Sequence, residues 1–212
     1  MKNIIIKVKE IDNSSKIISK LKANKKKLDK FFNIELPLPL LIILQNRQQI
    51  NSVWNRKLEV WSVAWAWRGS CIFILSPKAY LKENSSRTEL QYRKILCHEH
   101  VHLYLQSFKI DHLPRWLVEG IPTYLAGQKH RKPTLEEVFS VIKQSNNKPE
   151  LIYIVGLYWV EKLIRKFGKK KLLILLSNLK SCRNEKQFTD IFYQIYKIKY
   201  TKKDFRRLLD GK

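Results

Sequence analysis

The sequence predicts an α+β fold: a small mixed sheet in the first half and a mostly helical carboxy-terminal part. Two observations carry this reading. Short apolar runs rich in aromatic and β-branched residues and bounded by turn residues lie before residue 78, as in "LPLLIIL" and "WSVAWAWRGSCIFILSP". Beyond Gly127 the chain reads almost continuously as helix. With 212 residues and 44% hydrophobic content, it is long enough for one core, and no internal repeat or low-complexity linker divides it. A single domain over residues 1–212 is therefore expected.

Taken in order, "NIIIKV" (residues 3–8) reads as a strand, residues 14–32 as a basic helix and residues 38–44 as a buried strand. Residues 61–77 read as two short strands on either side of Arg68 and Gly69. "ILCHEHVHLYLQ", residues 95–106, has Leu, Ile, Glu and Gln and no Gly or Pro, which favours a helix. Pro114 can open the next helix. Further helices are expected over 134–144, 152–167, 170–179, 185–196 and 202–209.

The "HEHVH" segment carries the chemistry. At about 100° per residue, His98 and His102 fall roughly 40° apart on one helix face, so both imidazoles can reach one ion. Glu99 flanks them. This is His-Glu-x-x-His, in which two neutral imidazoles hold zinc and the adjacent carboxylate serves as general base. His100 points about 200° away from His98, a structural position. The alternative is an apolar helix that carries satisfied histidines, so a third ligand is the discriminator. A continuation with glycine at 105 and histidine at 108 is excluded by Leu105 and Phe108. Downstream, Glu119 sits among Trp116, Leu117, Val118, Ile121, Tyr124 and Leu125. Burying an acid there is costly unless something such as a metal compensates it. The competing reading is a helix-start acid favoured by the macrodipole.

These residues resemble the gluzincin metallopeptidases, in particular small peptidase MA-like proteins: His98, Glu99 and His102, then "WLVEGIPTYLAG", similar to a Trp-Leu-x-Glu-Gly helix with a glutamate ligand. "YIVG" (residues 153–156) and the long helix after it are similar to that family's Tyr-x-x-Gly stretch. The resemblance spans roughly residues 36–179, leaving 1–35 as an amino-terminal appendage and 180–212 as a basic helical tail. It implies a zincin-like fold with the sheet packed on the active-site helix. It also implies one zinc per chain on His98, His102 and Glu119, Glu99 as the base, and Tyr153 polarising the substrate carbonyl, with Tyr158 the second choice. The strand before the active helix would form the rim along which a peptide or protein substrate lies as an added strand. The aminopeptidase branch places an acid there to hold the substrate's amino terminus, whereas residues 62–67 read "SVAWAW". The expected activity is therefore that of a zinc metalloendopeptidase. Pro122, three residues after Glu119, departs from a regular helix.

The net charge of +24 is not required by this reading. A basic surface can bind nucleic acid or an anionic membrane, but Lys and Arg are spread along the whole chain without a nucleic-acid-binding signature. Nucleic-acid binding on a zincin-like scaffold is kept as the alternative, together with a latent protein whose basic residues 184–212 occupy its own cleft. No apolar run reaches the roughly 18 residues of a membrane span, and the start regains charge within a signal peptide's length. The three cysteines, Cys71, Cys97 and Cys182, are odd in number and widely spaced. A cytoplasmic protein is expected, with Cys97 a packing residue.

Overall fold

The computed structural model describes residues 14–142, 148–201 and 203–206. The expected strand at 3–8, the last residues of the expected 134–144 helix, and residues 202 and 207–209 of the last expected helix lie outside them. Contacts between Cα atoms divide the chain into two units, Met1–Tyr104 and Leu105–Lys212.

In the first unit, α1 (Ser14–Phe32) follows from a spacing of four, seven and four: Ile17, Leu21, Leu28 and Phe32 are all buried and form one stripe. Lysines fill the other faces. The short edge strand β1 (Leu40–Leu44) pairs in parallel with β3 (Cys71–Leu75), and β2 (Ala64–Trp67) pairs antiparallel with β3, giving the order β1-β3-β2. The mixed three-stranded sheet thus matches the α+β expectation. Residues 38–44, however, are not a buried strand: pairing begins at Leu40, which is 61% exposed, and only Leu44 is buried. A run flanked on one side alone keeps part of its apolar surface in solvent, whereas Ile72–Leu75 in the centre are buried throughout. The strand just before the active helix is likewise central, so among the described residues the edges of the sheet are β1 and β2.

The β2–β3 turn follows from Arg68 and Gly69, both at positive φ (46° and 70°), the conformation of a tight hairpin turn. Trp65 stacks on Phe73 at 5.1 Å, and Trp54 of α2 (Arg47–Trp54) meets Trp65 at 5.1 Å, so these aromatics form a packed wall. Arg47 holds the segment ahead of β2. It donates to the carbonyls of Glu59, Val60 and Ser62 and forks onto Glu83 at the end of α3 (Pro77–Glu83). Arg87 pairs with the same carboxylate at 3.0 Å. Burial raises the Glu83 carboxyl, but hydrogen bonds from Arg47 and Arg87 outweigh it and hold it below its ordinary value.

Helix α4 (Glu89–Ser107) carries the His-Glu-x-x-His segment. Tyr104 stacks on Phe32 of α1 at 5.2 Å, and its hydroxyl donates to Asp29. Asp29 also accepts from Lys25 and from the Leu36 amide. The amino-terminal helix is therefore fastened to α4 by a carboxylate as well as by its apolar stripe.

The second unit contains α5 (Arg115–Leu125), α6 (Leu135–Ile142), α7 (Pro149–Asn178) and, after a short turn at Leu179–Ser181, α8 (Glu185–Tyr196). The two helices expected over 152–167 and 170–179 are the halves of α7, separated by Gly168 at φ 77° and ψ 159°. Helices α5 and α7 meet backbone to backbone. A Cβ on Gly120 would lie 2.4 Å from the Gly156 carbonyl oxygen, and one on Gly156 would lie 2.3 Å from that of Trp116. The carboxy-terminal residues read as a basic tail contribute Phe188, Phe192, Tyr196 and Phe205 to this unit's core, and Trp116 Nε1 donates to Tyr200 at 2.8 Å. No helix among the described residues is long and apolar enough to cross a membrane.

Candidate metal centre

From residue 96 to residue 105 every side chain of α4 is buried except that of His102, which is half-buried. Among the described residues the buried polar side chains are Ser76, His98, Glu99, His100 and Thr123. Ser76 caps α3 by accepting from the Ala79 amide, and Thr123 returns its hydroxyl to the Glu119 carbonyl at 2.6 Å. The other three are consecutive on α4. Polar side chains are buried only where partners compensate them, so three in a row set this stretch apart from a helix that only packs.

The four-residue spacing brings His98 Nε2 and His102 Nε2 to 3.1 Å, with ring centroids 4.8 Å apart. Two nitrogens bound tetrahedrally to one zinc ion at about 2.0–2.1 Å would lie roughly 3.3 Å apart, so this pair already has ligand spacing. Their burial differs, His98 being 5% exposed and His102 half-buried. Glu99 is 9% exposed on the same helix.

Glu119 is the fifth residue of α5, whose first turn contains no acid, so the macrodipole reading does not account for it. It is half-buried. Its ligand atom and those of His98 and His102 all lie within 4.8 Å of one another. Two imidazoles and one carboxylate are a donor set that suits zinc, so the residues present fit such an ion. Pro122 lies inside α5 without ending it; the helix runs on to Leu125. Its missing amide leaves one i−4 bond unmade.

Tyr153 is half-buried in α7, three residues before the glycine that meets α5, and Tyr158 is half-buried two residues after that glycine. The glycines of "WLVEG" and "YIVG" are thus the two sides of one helix crossing. His100 is 1% exposed and lies 5.6 Å from the Tyr104 ring; burial pushes its pKa down to about 4, so it is neutral at ordinary pH. Cys97 is buried, and burial pushes its thiol up, as a packing residue should behave. Asp29, which the sequence reading did not single out, anchors the helix that bears the histidines. The only sequence signal for it was one acid within a lysine-rich helix.

No family model matches this chain, and no curated protein matches it.

Proposed function

We propose that the chain is a zinc-dependent metalloendopeptidase of gluzincin type on a zincin-like scaffold. The observation that supports this most is the convergence of His98, His102 and Glu119 within 4.8 Å, beside a buried Glu99. His98, His102 and Glu119 would hold the ion. When bound, zinc supplies Lewis acidity, which acidifies a water molecule and polarises a peptide carbonyl.

The chain's own residues do the rest. Glu99, next to His98 on α4, accepts the proton of the attacking water and returns it to the leaving amine. Its burial keeps bulk water from competing for that proton. Tyr153 donates its phenolic hydrogen to the oxygen that gains charge as the carbonyl becomes tetrahedral. The outer edge of β2, at the margin of the sheet among the described residues, would offer backbone donors and acceptors to an extended substrate, consistent with recognition that depends little on side-chain identity.

Glu99→Gln tests this reading. Cleavage of a denatured casein should fall by about 100-fold or more with zinc content unchanged, the range for losing a general base. Equal cleavage by wild type and variant would refute the assigned role.

A second reading rests on α1. Lys16, Lys20, Lys22, Lys26, Lys27 and Lys30 are exposed on it, and its single acid, Asp29, is taken up by Lys25, Tyr104 and Leu36. That face suits a phosphate backbone. Retention on duplex DNA that falls steeply with salt and ignores Glu99→Gln would favour it. Release at low salt would count against it.

A further inference from the structure

Helix α4 has a second face that the catalytic reading does not use. With His98 set at zero, His102 lies at about 40°, while Glu89, Tyr92, Arg93 and Leu96 lie at about 180°, 120°, 220° and 160°. The latter four line an open cavity of about 450 Å³, together with residues of α1 and α3. This volume lies in the range of small-molecule pockets.

The lining combines two chemistries. Ile17, Leu81 and Leu96 provide apolar wall, with Ile17 and Leu96 buried. Lys16, Lys20 and Arg93 bring three positive charges, set against one acid, Glu89. Arg93 pairs with Glu89 at 3.2 Å, and both are well exposed, so that bond is weak and the two lysines are left without an acid in the lining. Apolar wall beside cations that outnumber the acids of the lining is complementary to a molecule that is apolar along its body and anionic at one end.

We propose that the cavity walled by α1, α3 and the start of α4 binds a small amphipathic anion, a carboxylate or comparable anionic group carried on an apolar chain or ring. The apolar part lies against Ile17, Leu81 and Leu96, and the charged end meets Lys16 and Lys20. Because the cavity and the histidine pair occupy opposite faces of α4, binding requires no metal.

Isothermal titration of the full chain with dodecanoate, in the presence of EDTA, tests this. Saturable binding near one molecule per chain is expected, with dodecyltrimethylammonium, of equal chain length and opposite charge, at least ten-fold weaker. Ser19→Trp, a substitution at an exposed position in the lining, should weaken dodecanoate binding at least ten-fold by filling the mouth, as should the pair Lys16→Glu and Lys20→Glu. The pair Lys166→Glu and Lys170→Glu, exposed on α7, removes the same charge elsewhere and should leave binding unchanged. Absence of saturable binding, equal loss in the two charge-reversed pairs, or unaltered binding by Ser19→Trp would each overturn the proposal. Circular dichroism of every variant keeps a folding defect from being read as lost binding.

Discussion

Helices α4 and α5 carry the two halves of the candidate metal centre and are specified in opposite ways. On α4 the information is in what the side chains contain: a buried imidazole and carboxylate, His98 and Glu99, and the half-buried imidazole of His102, within five residues of an apolar helix. On α5 it is also in what a side chain lacks, since Gly120 lets the Gly156 backbone approach to a distance no Cβ could tolerate. Donor chemistry can therefore be read from one local segment. Close approach depends on a partner 36 positions away. A site assembled from both is only as secure as the crossing that places its acid.

The strongest way to break the α5 side is at the crossing. Gly156→Val would drive a branched side chain into the Trp116 carbonyl and the Gly120 backbone, which cannot yield as a flexible side chain does. A loss of about 3 kcal/mol or more is expected, the upper end for overpacking, seen as a lowered thermal midpoint with zinc binding weakened in parallel. A variant as stable as wild type would mean that the crossing does not constrain α5.

The α4 side is challenged through Asp29. Asp29→Ala leaves the buried Tyr104 hydroxyl without its carboxylate, and a loss of about 2–3 kcal/mol is expected from urea unfolding. Tyr104→Phe removes the hydroxyl instead and should cost less, because Asp29 keeps Lys25 and the Leu36 amide. The reverse order would show that the carboxylate is not the anchor.

A smaller effect is expected at Glu83, where the arginine fork holds the loop ahead of β2. Its folded pKa is lowered from the ordinary 4.5, so the stability it contributes is full above that value and disappears as pH falls through the lowered one. Glu83→Gln should therefore cost about 1–2 kcal/mol at pH 6, partly screened by solvent. The gap from wild type should narrow as pH falls below the ordinary carboxyl value and through the lowered one. A gap that widened with acid would contradict the assignment.

The same contrast explains what the sequence revealed. The basic helix at 14–32 and the helix at 185–196 were legible to the residue because each has a regular apolar stripe, and α8 also has an Asn184 cap that accepts from Gln187. The hairpin was legible from Arg68 and Gly69, and the break in α7 from Gly168. Strand order was not legible: "LPLLIIL" looks buried by composition, and only its place at the edge of the sheet exposes Leu40. Nor was the tail's role, because Phe188, Phe192 and Tyr196 lie among lysines that dominate its composition. For the candidate site, the shared helix face of His98 and His102 was readable from local spacing. The Gly120–Gly156 contact and the Asp29 anchor depend on partners far along the chain, which local periodicity does not encode.

On the proposed reading, three side chains from two helices hold one zinc ion. Native mass spectrometry of the wild type, Glu119→Ala and Glu99→Gln, each supplied with zinc, tests it most directly. One zinc per chain is expected in the wild type, the same in Glu99→Gln, and loss or marked weakening in Glu119→Ala. A folded wild type that takes up no zinc would contradict it, as would a Glu119→Ala variant that binds zinc as tightly as the wild type.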